Sequence, residues 1–136
     1  MGSYTPLTKK SEKFESGKWS DIQEPPFKYF VNYAVVFHKD HFYYFGGYND
    51  DIGPLSSILR LNTGSWTWQP VGELISARSA HGVISIGNTF MVIGGGQGTF
   101  PNEACTLNDD EITCEQKNST LSRYRPILFR FSYDNC

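Results

Sequence analysis

The sequence has no surplus of positive charge: twelve Lys and Arg stand against fourteen Asp and Glu in 136 residues, a formal charge of −2. Without a basic stripe nothing neutralises phosphates, so no nucleic acid is expected as a partner. There is no apolar run near the roughly 20 residues that a helix needs to span a bilayer, and no membrane insertion is expected. The opening stretch "MGSYTPLTKKSEKFESGKWS" lacks the apolar middle of a signal peptide; residues 1–16 read as a flexible N-terminal segment of a soluble chain. Helix-period apolar patterns of ten residues or more are scarce. Motifs for chemistry are scarce too. There is no G-x-S-x-G, and "GGGQG" from Gly94 has no helix after it, which a phosphate-cradling loop requires.

What the sequence does have is aromatic residues and glycine. Ten Phe, eight Tyr and three Trp make up 15% of the chain, and thirteen Gly punctuate it. That composition favours strands, and the fold class expected is all-β. Short apolar runs follow one another: "YAVVF" (33–37), "FYYF" (42–45), "SILRL" (57–61), "WTWQPV" (66–71), "HGVISI" (81–86), "FMVI" (90–93), "ACTL" (104–107) and "ITCEQ" (112–116). Between them "HKDH", "NTGS", "GNT" and "NDDE" are hairpin connections, which make the strands successive antiparallel neighbours.

A recurrence organises these runs. "HFYYFGGYND" from His41 and "FMVIGGGQGT" from Phe90 each drive a bulky strand into a glycine pair, Gly46–Gly47 and Gly94–Gly95. Gly46 and Gly94, Leu59 and Leu107, and Trp66 and Cys114 are each 48 residues apart. A period near 50 with four short strands per unit marks a β-propeller blade. The glycines would let the chain leave the strand where a Cβ would be in the way, and the aromatics, with Trp19, Trp66 and Trp68 among them, would fill the space between blade faces.

The unit "WTWQPVGELISARSAHGVISIGNTFMVIGGG" resembles a kelch repeat, with an outer-strand Trp, a loop carrying Arg78, an inner strand from His81 and a second strand ending at Gly94 and Gly95. The copy "KWSDIQEPPFKYFVNYAVVFHKDHFYYFGG" is rougher, with Phe30 and Tyr33 where the better unit has Arg78 and His81. The stretch "GTFPNEACTLNDDEITCEQKNSTLSRYRPILFRFSYDNC" is similar to extracellular kelch-repeat proteins of animals with cysteines on the outer strands. The resemblance implies a partial propeller over 17–136, with blades at about 33–71 and 80–116 and an incomplete third unit from about 121, where "ILFRFSY" (127–133) reads as an inner strand. Two blades are fewer than the four to eight of typical rings. A piece of a longer chain is therefore expected, with a ring of several copies and an open stack of two sheets as alternatives; further blades in cis or self-association would complete the propeller.

If "CTLNDDEITC" is a hairpin turning at Asp109 and Asp110, Cys105 faces Cys114 at a non-hydrogen-bonded pair. The Cα separation there is about 4.5 Å, at the short edge of what a disulfide spans. The competing reading is two buried free thiols in a cytosolic protein. Cys136 is left over, and the connectivity of three cysteines is undecided. Asn118 opens the sequon "NST", a glycosylation acceptor. Together these favour an extracellular glycoprotein, with the cytoplasm as the alternative.

No enzyme and no cofactor or metal is expected. His38, Asp40 and His41 could be imagined as ligands, but a solvated turn accounts for them, and Arg78 and His81 read as structural groups bonded to loop carbonyls. The resemblance implies a non-catalytic binding module for an unknown protein or glycan partner, using loops 48–57 and 96–103. The alternatives are part of a galactose-oxidase-like copper-radical propeller enzyme, whose ligands two blades cannot supply, and an intracellular kelch adaptor for ubiquitin ligation.

Overall fold

A computed structural model describes residues 10–27, 31–96 and 100–117. Twelve strands form in chain order: β1 (Ser11–Glu15), β2 (Lys18–Ile22), β3 (Ala34–His38), β4 (His41–Phe45), β5 (Tyr48–Asn49), β6 (Gly53–Pro54), β7 (Ser57–Asn62), β8 (Thr67–Glu73), β9 (Gly82–Ile86), β10 (Thr89–Ile93), β11 (Asn102–Asn108) and β12 (Glu111–Lys117). No helix occurs among the described residues. The protein is all-β, as its composition predicts.

Tight turns set the pairing. Lys39 and Asp40 both have positive φ, 46° and 62°, the backbone that a two-residue hairpin needs to match strand twist, and His38 is thereby placed opposite His41. The wider turn after β7 is held by Asn62, whose Oδ1 accepts the amides of Gly64 and Ser65 at 2.8 and 3.1 Å. Trp66 lies inside this turn at φ 55° and not in the strand it was expected to begin.

Two four-stranded antiparallel meanders result, β3-β4-β7-β8 and β9-β10-β11-β12. Their outer strands touch at one parallel bridge, Ile112 with Gly72. A Cβ on Gly72 would run into the Ile112 carbonyl, so only glycine allows this approach. On the other side the inner strands β3 and β9 come together, and the eight-stranded sheet nearly closes. The core is the space between the meanders. Tyr43, Phe45 and Ile58 of the first pack with Phe90, Val92, Cys105, Leu107 and Ile112 of the second. Phe90 is its centre, 5.3 Å from the Tyr43 ring and 5.2 Å from the Phe45 ring. Burying one such side chain stabilises the fold by about 1.5–3 kcal/mol.

Two sequence expectations are corrected. The N-terminal segment read as flexible through residue 16 forms a β1-β2 hairpin from Ser11 onward, turning at Ser16 and Gly17, both with positive φ. Trp19, read as an aromatic filling the space between blade faces, lies on this hairpin 69% exposed, its ring 5.2 Å from Phe14. The repeat, in turn, is not one uniform offset. The first two strands of each meander correspond at 48 residues, His38 opposite His41 matching Ile86 opposite Thr89. In the third strand Phe42 faces Leu61 while Phe90 faces Cys105, so Leu61 corresponds to Cys105 at 44. Leu61 faces Trp68 and Cys105 faces Cys114, which matches Cys114 to Trp68 at 46, not to Trp66. The reason is loop length: fourteen residues separate Tyr44 from its partner Leu59, and ten separate Val92 from Glu103.

Candidate functional site

The long connections gather at one end of the sheets. Strand β4 enters this end at Gly46, whose φ of 56° favours glycine and where a Cβ would sit 2.5 Å from the Arg78 carbonyl oxygen and 2.9 Å from the His81 ring. The chain then runs through 47–56, returns through 74–81 after β8, and is at this end again at 94–96 and 100–101. Gly47, Gly94 and Gly95 also have positive φ, and a Cβ on Gly95 would meet the Phe100 ring at 2.9 Å. Both glycine pairs therefore stand where backbone or ring comes close.

Arg78 fastens the loops to each other. Its amide donates to the Leu55 carbonyl at 3.1 Å and its carbonyl accepts from Gly47 at 2.9 Å, which secures the first loop. Its guanidinium donates to the carbonyls of Ser76, Gly94 and Pro101 at 3.3, 3.0 and 2.9 Å and to Glu103 Oε1 at 2.5 Å, which secures the other two. Phe100 covers the guanidinium with its ring centroid 5.2 Å away. Glu103 also accepts the amides of Ile75 and Ser76 at 2.8 and 3.0 Å. Both side chains of the pair are fully buried. Burial draws the Arg78 pKa down while the Glu103 carboxylate opposes that shift, and a guanidinium stays charged in proteins.

His81 lies beside this cluster. Among the described residues neither ring nitrogen has a partner in good hydrogen-bond geometry, the Phe45 backbone being the nearest polar influence. Burial, then the positive charge of Arg78, push its pKa down to about 4, against an opposing influence from the Phe45 backbone. The imidazole is therefore neutral at neutral pH and fills space under the first loop.

Over this base the first loop is shaped by Asn49, buried, whose Oδ1 accepts the amides of Asp51 and Ile52 at 3.0 and 3.1 Å. Strands β5 and β6 pair across the loop, and Val31 bridges Tyr48. The outcome is an ordered surface carrying Val31, Tyr48, Ile52 and Ile75 as exposed apolar side chains beside the exposed carboxylates of Asp50 and Asp51. Asn49 and Glu103 were not singled out from sequence. "YNDD" carries the signal for the first, an Asn able to form an Asx turn; for the second only the charge inside the strand-like run "NEACT" was visible.

The other candidate residues fall elsewhere. Trp68 lies on β8, its ring 4.8 Å from Tyr44, with its amide donating to Gln23 Oε1 at 2.7 Å and its Nε1 to the Gln23 carbonyl at 2.8 Å. The Trp66 ring lies 5.1 Å from Lys13 Nζ. Cys105 and Cys114 are joined by a disulfide within the core between the meanders. Asn118, Cys136 and the third unit from about 121 lie outside the described residues. His38 and His41 close the far turn, but the imidazole of His38 is not simply solvated: it packs edge-on against Phe90 at 5.4 Å. Among the described residues, one set of three potential ligands lies within 4.8 Å of one another, Glu103, Cys105 and Cys114. Its thiols are already bonded and its carboxylate already holds Arg78.

Compared with known proteins, the chain matches the Kelch motif family model over residues 30–75. No curated protein matches it. The matched span covers the last residues before β3 and runs through β8, the whole of the first four-stranded meander. The chain thus carries a kelch motif over its first meander, and the second meander repeats the same four-stranded antiparallel order.

Proposed function

We propose that the protein is a non-catalytic interaction module that recognises a protein or glycan partner through its loop-bearing end, in an extracellular setting. One observation carries the reading: the fully buried Arg78–Glu103 pair ties three loops from two blades into one ordered base, above which Tyr48 and Ile52 stand exposed beside Asp50 and Asp51. Loops fixed on a rigid scaffold lose little entropy on binding, and an aromatic and an aliphatic anchor beside charge is the mixture of an interface centre and its rim. The kelch motif supports the same class of function. The blades correspond to about 33–71 and 80–116 of a partial propeller over 17–136, with further blades or copies completing it. The Cys105–Cys114 disulfide supports an oxidising compartment, and the Asn118 sequon agrees with it.

The test is a binding screen of the oxidised chain against immobilised secreted proteins and a glycan array, run beside the double variant Tyr48→Ala, Ile52→Asp. A ligand held by the parent and lost by the variant, with both melting at the same temperature, supports the proposal. Equal binding by the two places recognition elsewhere and overturns it.

A further inference from the structure

His38 and His41 take no part in the loop end. They face each other across the two-residue turn at Lys39 and Asp40, at the end of the first meander remote from the loops. Residues directly opposite in an antiparallel pair project to the same side of the sheet, so both rings lie on the side of Tyr43 and Phe45, which is the core side. The His38 ring stands edge-on to Phe90 of the second meander at 5.4 Å, which holds it in place. Its Nε2 and the Nδ1 of His41 are buried, and among the described residues neither has a hydrogen-bond partner.

The repeat does not require this pair. The corresponding positions of the second meander are Ile86 and Thr89, again opposite each other at a two-residue turn, so a strand can end here without burying an imidazole. Unpaired buried polar atoms are costly, and each calls for an explanation. Two imidazole nitrogens on opposed residues are a donor set that suits Zn²⁺ and Cu²⁺. The Cβ atoms of opposed residues lie about 4.5–5.5 Å apart. Nitrogens that share a tetrahedral ion at about 2.0–2.1 Å each need to be about 3.3 Å apart, a convergence that rotation of the two rings supplies. Negative charge stands close by as well. Asp40 belongs to the turn itself, and the Asp110 carboxylate is held below its ordinary range chiefly by Arg60 and in smaller part by His41.

We propose that His38 and His41 together bind a divalent transition-metal ion of the zinc or copper class. The two imidazoles hold it as neutral donors, and water fills its remaining positions. The turn that was expected to be merely solvated thereby acquires a ligand. An ion bound only by the folded chain also stabilises it. The site lies away from the loop end, so the outcome of its test does not bear on the reading of that surface.

The experiment is calorimetric titration of the metal-free, oxidised full chain with zinc chloride and with copper(II) chloride, joined to electron paramagnetic resonance of the copper complex. The parent is expected to take up one ion per chain, to show coupling to two imidazole nitrogens in the copper spectrum, and to melt at a higher temperature with zinc. His38→Gln and His41→Gln should each lower the affinity by more than the roughly tenfold that loss of an outer-shell partner costs a metal site. His81→Gln, which removes the one other histidine of the chain, and Cys136→Ser, which removes a thiol, should leave it unchanged. A parent that binds neither metal overturns the proposal. Affinity kept in either of the first two variants overturns it too, because the ion is then held by one imidazole or elsewhere, and so does affinity lost in His81→Gln or Cys136→Ser. A copper spectrum with fewer than two nitrogen couplings overturns it on the parent alone, so the test stands even where a glutamine variant fails to fold.

Discussion

The two blades share a strand order and solve the same structural positions with different chemistry. Where the second has the buried pair Arg78 and Glu103, the corresponding positions of the first are Phe30 by sequence and Leu59 by register. Where the second has a disulfide between Cys105 and Cys114, the first has Leu61 opposite Trp68. The differences come in pairs. A single buried charge left without its partner is costly, so a blade with an arginine under its loops also holds a carboxylate at the third strand, and a blade without one has apolar residues at both positions. The lesson is that the repeat preserves geometry and leaves the interaction free to change.

What both blades keep is the glycine at the exit of the second strand, and breaking it should cost most. Gly46→Val would place a Cβ 2.5 Å from the Arg78 carbonyl oxygen and force a β-branched residue to φ 56°. No cooperative thermal transition is expected for this variant in circular dichroism. Gly87→Ala is the control, since φ is also positive there but a Cβ would meet nothing within 4 Å; it should fold and lose about 1 kcal/mol. If Gly46→Val melts as sharply as the parent, the close approach at the loop end is not required for the fold.

The ion pair gives the next largest effect and tests the paired exchange directly. Arg78→Met leaves Glu103 buried without its cation and should cost about 3–5 kcal/mol in denaturant unfolding. Adding Glu103→Leu makes these positions apolar, as they are in the first blade, and should recover part of the loss, although the amides of Ile75 and Ser76 then lose their acceptor. A double variant no more stable than Arg78→Met alone would show that the exchange is not transferable between blades.

His81 has Tyr33 as its sequence counterpart, so only the second blade places an imidazole here. Its folded pKa near 4 lies below the ordinary value of 6.5. A depressed folded pKa means that the unfolded chain takes up the proton first as pH falls. The stability linked to His81 is therefore complete above about pH 6.5, declines as pH drops towards 4 and levels off below that, a loss of roughly 3 kcal/mol in all. His81→Gln should flatten the stability profile over this window. An unchanged slope would mean that other groups carry the acid sensitivity.

The sequence made the strands legible because aromatic and β-branched runs alternate with turn residues, and each of the eight runs from Tyr33 to Gln116 became a strand of the two meanders. It was misleading wherever spacing alone stood in for pairing. Leu59 and Leu107 share an offset with the glycines, yet Leu59 pairs with Tyr44 while Leu107 lies beyond the corresponding contact, because the loop after Gly94 is shorter. Residues 11–16 read as flexible because their charged residues mask a strand, and only pairing across Ser16 and Gly17 brings Phe14 opposite Trp19. The loop base was the least visible part. Arg78 was recognisable from its place in the repeat, but its partner Glu103 lies 25 residues later, across a whole hairpin, and no local pattern connects them.

The disulfide should have the smallest effect of the four, because the segment it closes is short. Cys105 and Cys114 are nine residues apart and already face each other across a paired hairpin, so the bond restricts the unfolded chain by only roughly 2–3 kcal/mol. Cys105→Ala, Cys114→Ala removes that restriction and also empties two side-chain sites beside Phe90 and Leu107; reduction of the parent removes the restriction alone. The reduced parent is therefore expected to melt between the oxidised parent and the double alanine variant, with intact mass rising by about two daltons on reduction for each disulfide present. If reduction leaves the melting temperature unchanged while the alanine variant falls, the second blade relies on the packing of its sulfur atoms, just as the first relies on Leu61 and Trp68, and the covalent bond adds nothing to the fold.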